Sequence, residues 1–311
     1  MHYRHYRYYT ADVFTDRVFG GNQLAVLPDA RGLTSEEMQQ IAREFNLSET
    51  VFVLPPQASE YTRRLRIFTP GTELPFAGHP TIGTAHVLAS IGEIPVEAEV
   101  TRIVFEEGVG PVPVAIRAAK GRPVSAQLTA AKLPEFGPMP PSKAKLAAVL
   151  SLEAADLLEN NFAPAAVSCG VPFLFIPVRD RSALQRVRLD RNRWETLLSS
   201  FWAPHLYVFA RDPERDGSDL RARMFAPAIG IVEDPATGAA ATALAGYLGT
   251  REATPSGTIR WVVEQGFEMG RPSILEIEAD KRDGEIVAAR VGGASVLVSE
   301  GTMYTPVADG M

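Results

Sequence analysis

The feature that most constrains this chain is that it repeats itself. Arg64-Leu-Arg66-Ile-Phe68-Thr-Pro70 and Arg221-Ala-Arg223-Met-Phe225-Ala-Pro227 both read R-x-R-x-F-x-P, and they stand 157 positions apart in a chain of 311 residues. An offset of about half the chain is what a duplicated, two-domain protein produces. Neighbouring segments keep the register. Upstream, Thr50-Val-Phe52-Val aligns with Tyr207-Val-Phe209-Ala, both short apolar runs that read as buried strands. Downstream, Ala77-Gly78-His79-Pro80 and Thr237-Gly238-Ala239-Ala240 each open an apolar helix, now 160 positions apart because the second loop has gained residues.

The rest of the organisation follows from this frame. Thr34 to Phe45 carries a capping start, acids in its first turn and apolar Met38, Ile41, Ala42 and Phe45 at helical spacing, so it reads as an amphipathic helix. Its second-half partner is Asp190 to Phe201, with Trp194, Leu197, Leu198 and Phe201 on one face. Leu133 to Pro141 holds four prolines in nine residues, which no helix or central strand tolerates. The expected division is therefore residues 1–132, a linker at 133–142 and a second domain at 143–294, with 295–311 returning to the first. Gly108 to Ile116, Ile274 to Ile277 and Val287 to Val298 read as strands. The fold class expected is α+β, with mostly antiparallel sheets and connecting helices.

Charge and cysteine usage exclude several classes. Lys and Arg number 31 against 37 Asp and Glu, a net charge of −6 with the basic residues dispersed, so a nucleic-acid or anionic-membrane surface is disfavoured. The single cysteine, Cys169, makes no internal disulfide and no multi-cysteine zinc site, which points to a reducing, cytoplasmic setting. The first residues, with His2 and His5 among them, lack the apolar stretch of a secretory signal. The apolar run Val171 to Val178 is far short of the roughly 20 residues that span a membrane.

Chemistry concentrates at the two helix starts. A helix N-terminus offers unpaired N–H groups and the positive end of a dipole, so starts at Gly78 and Gly238 facing one cleft would hold a carboxylate. The side chains around them differ between the copies. Glu49 opens a strand in Asn46-Leu-Ser48-Glu49-Thr50, and the aligned second-half position reads as Leu206. His79 follows Gly78, whereas Ala239 follows Gly238, and Glu233-Asp234-Pro235 brings acids to a place where the first copy has Pro75-Phe76. Each residue also has a structural reading: Glu49 as a surface strand-end carboxylate, His79 as a helix-start hydrogen bonder, Asp234 as a cap for the helix near Thr237. His86 lies on the same helix as His79 and reads as packing. No H-E-x-x-H, G-x-S-x-G or P-loop spacing occurs, so neither a metal nor a nucleotide cofactor is expected.

The sequence resembles the PhzF family, named for an isomerase of phenazine biosynthesis and related to diaminopimelate epimerase. The resemblance is carried by Phe19-Gly-Gly-Asn22, Met38 to Phe52, Arg66-Ile-Phe-Thr-Pro70, Gly78-His79, Gly170-Val-Pro-Phe173, Glu233-Asp-Pro-Ala-Thr-Gly238 and Gln265-Gly266 with Gly270-Arg-Pro-Ser273. It implies two similar domains, each a curved, mostly antiparallel sheet or barrel around a central helix, with the active site in the cleft between them. It also implies that Glu49 is the acid/base, that His79 and Asp234 position substrate or relay protons, and that the N–H groups around Gly78, His79, Gly238 and Ala239 hold a substrate carboxylate. A homodimer with no cofactor is the expected state.

Two departures matter. The phenazine enzyme carries serine where this chain has Ala239, and the family's G-N-P reads Gly21-Asn22-Gln23 here. The related two-base racemases use a cysteine at each helix start, where this chain has Ala77 and Thr237, so a two-thiol mechanism is excluded. The leading expectation is a cofactor-independent isomerase that moves a proton within a small carboxylate-bearing metabolite. The opposing one is a catalytically silent binding protein on the same fold, which Ala239 favours slightly.

Overall fold

A computed structural model describes residues 3–306; His2 and the expected end of the last strand, 307–311, lie outside the described residues. The chain divides into two compact units, one containing the described residues up to Leu128 and from Gly293 on, the other Thr129–Gly292.

The first unit runs β1 (Tyr3–Val13), β2 (Asn22–Leu27), α1 (Ser35–Phe45), β3 (Glu49–Leu54), β4 (Arg63–Phe68), β5 (Glu73–Leu74), α2 (Gly78–Ser90), β6 (Val100–Glu107), β7 (Gly110–Ala119) and β8 (Arg122–Thr129). The second runs β9 (Glu135–Phe136), α3 (Lys143–Val149), β10 (Ala165–Ser168), β11 (Pro172–Pro177), α4 (Arg181–Arg186), α5 (Arg191–Leu198), β12 (His205–Ala210), β13 (Leu220–Ala226), β14 (Ile231–Asp234), α6 (Gly238–Gly249), β15 (Gly257–Gln265), β16 (Ser273–Arg282) and β17 (Glu285–Gly293). The chain then returns to the first unit as β18 (Ser295–Pro306), antiparallel to β1. Most neighbours are antiparallel. The parallel pairs recur at matching places: β2 with β3 and β4 with β6 in one unit, β11 with β12 and β13 with β15 in the other.

Each unit wraps its curved sheet around one central helix. The first twelve residues of α2 are buried, as are all of α6 except Ala239, and helices apolar on every side have nowhere else to go. Small residues let α6 approach its neighbours: a Cβ at Gly246 would stand 2.3 Å from Pro134 Cγ. That contact relocates the proline run. The run was expected as a linker, but Pro134 packs on α6 and β9 pairs with β10, so the segment belongs to the second unit and the crossing falls at Leu128/Thr129. The expected strand Val287 to Val298 is likewise two strands, interrupted at Ala294, just after the chain changes units between Gly292 and Gly293. The strand expected from Gly108 begins at Gly110 after a tight turn.

The amphipathic helices cover the outside. Thr34 and Glu37 close a reciprocal capping box at the start of α1, and Met38, Ile41 and Ala42 enter a core with Leu27, Phe52 and Phe68. In the second unit Asp190 caps α5, and Trp194 and Leu198 pack with Leu146, Leu206 and Val208, with Leu197 and Phe201 partly buried against them.

The repeated arginines show why the motif recurs. Arg66 forms a two-pronged bond to Glu73, at 2.7 and 2.6 Å, with its guanidinium 5.1 Å from the Phe68 ring centre. Arg223 does the same to Glu233, at 2.8 and 2.8 Å, and lies 5.0 Å from the Phe225 ring centre. Arg64 and Arg221 stand 3.8 and 3.3 Å from Glu106 and Glu264 on the parallel neighbours. These ion pairs pin the hairpin that delivers the chain to each central helix.

Candidate active site

In the first unit the helix start is surrounded by polar groups. Glu49 is the first residue of β3, set beside Leu24 of β2, and is 9% exposed. It is a buried carboxyl and not a surface one. Nε2 of His79, the second residue of α2, lies 3.1 Å from Oε2 of Glu49. On the other side of the ring, the Ser48 hydroxyl donates to Asn22 Oδ1 at 3.1 Å, which turns the Asn22 amide nitrogen toward His79 Nδ1 at 3.3 Å. Burial drives the His79 pKa down to about 3, against a smaller opposing effect of the Gln23 backbone. The imidazole is therefore neutral near pH 7. A neutral ring has one N–H and one lone pair, so which of them Nε2 turns toward Glu49 depends on the tautomer.

No side chain caps α2: its N-cap is Ala77, leaving the N–H groups of Gly78 and His79 without a side-chain acceptor. In the second unit α6 is likewise uncapped, with Thr237 at its N-cap and Gly238 and Ala239 as its first residues. Asp234 stands just before this helix. It ends β14, is 8% exposed, and accepts the Thr237 hydroxyl at 2.5 Å. Fully buried Gln265 ties the loop together: its amide nitrogen donates to the Asp234 carbonyl at 2.8 Å and to Thr237 Oγ1 at 3.0 Å, and its oxygen accepts from the Thr237 N–H at 3.2 Å and the Tyr207 hydroxyl at 3.1 Å. Burial, with the Asp234 charge adding to it, raises the Tyr207 pKa, so the phenol stays a donor. Gly266 follows because nothing larger fits: its φ is +77° and a Cβ would stand 2.4 Å from the Arg271 carbonyl oxygen.

Strand pairing revises two alignments made from spacing. Arg66 faces Phe52 and its counterpart Arg223 faces Val208, one residue off the 157-residue offset. Glu49 therefore corresponds to His205 and not to Leu206. His205 opens β12, is 9% exposed with its Nδ1 unbonded among the described residues, and has a pKa lowered by burial. Likewise Ile67 faces Leu74 and Met224 faces Asp234, so Glu233 repeats Glu73, and Asp234 alone is new to the second copy. Asn22, Ser48, Gln265 and Tyr207 are polar partners to which the sequence assigned no role, although each lies in a segment that carries the repeat or the family resemblance. Cys169 stands in the turn after β10, its thiol pushed up to about 12 by burial, far from a nucleophile's range.

A carboxyl thus stands against a neutral imidazole beside the uncapped helix start of the first unit, and an aspartate bonded to a hydroxyl beside that of the second. This is the polar inventory of an isomerase built on the diaminopimelate epimerase-like fold. The family model for phenazine biosynthesis-like proteins matches residues 11–301, and the chain belongs to that family. It is 42% identical over 307 residues to an uncharacterized isomerase of Mesorhizobium japonicum, covering 98% of this chain and 100% of that one. It is 34% identical over 299 residues to the trans-2,3-dihydro-3-hydroxyanthranilate isomerase of Pseudomonas aeruginosa, covering 96% and 99%. A PhzF-family phenazine biosynthesis protein of Bacillus anthracis superposes with a TM-score of 0.87 at 26% identity, covering 96% of this chain and 99% of the other. The chain is an isomerase. Among the described residues no helix is long and apolar enough to cross a membrane.

Proposed function

We propose that this isomerase moves a proton between two carbons of a small, carboxylate-bearing metabolite, with Glu49 as its single acid/base and without metal or cofactor. The observation that carries this reading is the 3.1 Å approach of His79 Nε2 to Glu49 Oε2 at an uncapped helix start. Glu49 takes the proton from one carbon and returns it to another on the same face, a task that suits one shuttling carboxylate better than stereoinversion. His79, neutral, orients that carboxyl and exchanges a hydrogen bond with it as its charge changes. In the first unit the uncapped start of α2, with the N–H groups of Gly78 and His79, receives the substrate carboxylate; in the second, Gly238 and Ala239 offer an equivalent start, with Asp234 held by Thr237 beside it.

The relative from Pseudomonas aeruginosa acts, by its name, on trans-2,3-dihydro-3-hydroxyanthranilate, an amino- and hydroxyl-bearing cyclic carboxylate. We place this chain's substrate in the broader class of small unsaturated carboxylates, because Ala239 removes a hydroxyl from the second helix start. The test is to offer that compound and related carboxylates to the protein with a chelator present, and to follow isomerisation by NMR. Turnover that survives the chelator and is lost in Glu49→Gln supports the reading. Chelator-sensitive turnover, or turnover indifferent to Glu49, rejects it.

A further inference from the structure

Glu107 ends β6 and Gln265 ends β15, and strand pairing makes them counterparts: Arg64 faces Glu106 as Arg221 faces Glu264, one residue earlier in each strand. Both side chains reach the first turn of their own unit's central helix or the residue before it. Gln265 does so with an uncharged amide that bonds Thr237. Glu107 does so with a carboxyl whose Oε1 lies 2.7 Å from Thr81 Oγ1. That hydroxyl also stands 2.7 Å from the Ala77 carbonyl oxygen, one turn back along α2.

A threonine hydroxyl has one proton, and a carbonyl oxygen only accepts. Thr81 Oγ1 is within donating distance of both acceptors, and its one proton serves only one of them: given to Glu107, it leaves a bare oxygen–oxygen contact to Ala77, and given to Ala77, it leaves the Glu107 contact to a proton on the carboxyl. Among the described residues the remaining oxygen, Oε2, is buried with no hydrogen-bond partner, and Glu107, 6% exposed, forms no ion pair. The charged groups of β4, the parallel neighbour of β6, and the histidines of α2 are committed elsewhere. On β4, Arg63 pairs with Glu93, Arg64 with Glu106 and Arg66 with Glu73; on α2, His79 and His86 are both kept neutral by burial. A carboxylate placed there would be buried without a counter-charge, which costs several kcal/mol by general estimates. Burial indeed lifts the Glu107 pKa to about 8, against a weaker opposing effect of Thr81.

We propose that Glu107 stands as an uncharged carboxylic acid, the isostere of Gln265, that donates its proton to Thr81 and so positions the first turn of α2, with Gly78 and His79, to receive an anion. The protonation stands on the geometry alone; the anion rests on the function proposed above. Glu107 is a positioning residue, acting through Thr81. Its ionisation sets a negative charge beneath a helix start whose positive end should meet the ligand, so alkaline pH closes the site.

Two measurements separate these parts. The infrared difference between wild type and Glu107→Gln at pH 7 should contain the carbonyl band of a protonated carboxylic acid, and wild type should lose that band as pH rises through about 8. A difference spectrum with only a carboxylate band overturns the proposal. Sulfate, which does not itself titrate in this range, is then the probe for anion binding by calorimetry. Wild type should bind it about tenfold more weakly at pH 9 than at pH 7, while Glu107→Gln, isosteric and neutral at both, holds its affinity. Parallel loss in both proteins overturns the positioning role. Absence of sulfate binding at every pH, with the acid band present, removes the anion reading of this helix start and leaves the protonation of Glu107 standing.

Discussion

His79 Nε2 stands 3.1 Å from Oε2 of Glu49, although one residue opens a strand and the other sits in the first turn of a helix. The pair places the proposed acid/base within reach of a buried imidazole. Glu49→Gln keeps volume and hydrogen-bonding capacity but cannot take a proton. A general acid/base supplies about 10²–10⁴-fold in rate, so kcat should fall by at least about 10²-fold. Melting temperature should change little, and circular dichroism thermal scans beside steady-state kinetics check both halves of the expectation.

The neutral state of His79 has a signed consequence for stability. Its pKa falls from 6.5 to about 3 on burial, so between those values the unfolded chain binds a proton that the folded one does not. Stability is therefore present above pH 6.5 and is lost as pH falls toward 3. For this residue alone the loss at pH 4 is about 3 kcal/mol. In urea titrations at pH 7 and pH 4, His79→Asn should show a smaller drop than wild type. An equal drop in both would mean that His79 titrates normally.

Gln265 should matter more to folding than any other polar residue of the second helix start. Gln265→Ala strands the Thr237 N–H, the Asp234 carbonyl and the Tyr207 hydroxyl in a buried place. Buried groups left unpaired cost about 1–3 kcal/mol each, partly relieved by water, so a total loss of about 2–4 kcal/mol is expected by chemical denaturation. Gln265→Glu should be tolerated at low pH and destabilising as the new carboxyl ionises.

Ala239→Ser adds a hydroxyl at the second residue of α6, where the phenazine enzyme's serine would stand. The effect should appear in KM and in preference among hydroxylated or amino-substituted carboxylates, with kcat on the best substrate changed less than about tenfold, because no proton is moved there. Competition assays between paired substrates read this directly.

Duplication was legible because it is written in residues whose chemistry demands their type. Arg66 and Arg223 each need a bidentate acid and an aromatic face, so the motif survives in both halves. The two Ala- and Thr-rich helices opening at Gly78 and Gly238 were legible from the same repeat. Partners set by strand register were not. Counting along the chain put Leu206 opposite Glu49, and only the ladder between β12 and β13 moved that place to His205. The proline run reads as a linker because proline marks what a segment cannot be; in the structure Pro134 fills the space beside Gly246, a contact that spacing does not show. Glu107 carried no motif at all; its environment, not its spacing, makes it unusual.

The most direct test of the central claim is carbon-bound hydrogen exchange with solvent. The protein, with chelator, is incubated in deuterium oxide with a carboxylate that it isomerises, and both substrate and product are read by proton NMR. With Glu49 as a solvent-exchangeable carrier, deuterium should enter the carbon that gains the proton in wild type, and Glu49→Gln should reduce the rate of labelling by about 10²-fold or more. Labelling at the wild-type rate in Glu49→Gln would contradict the account and pass the role of base to Asp234 or His79.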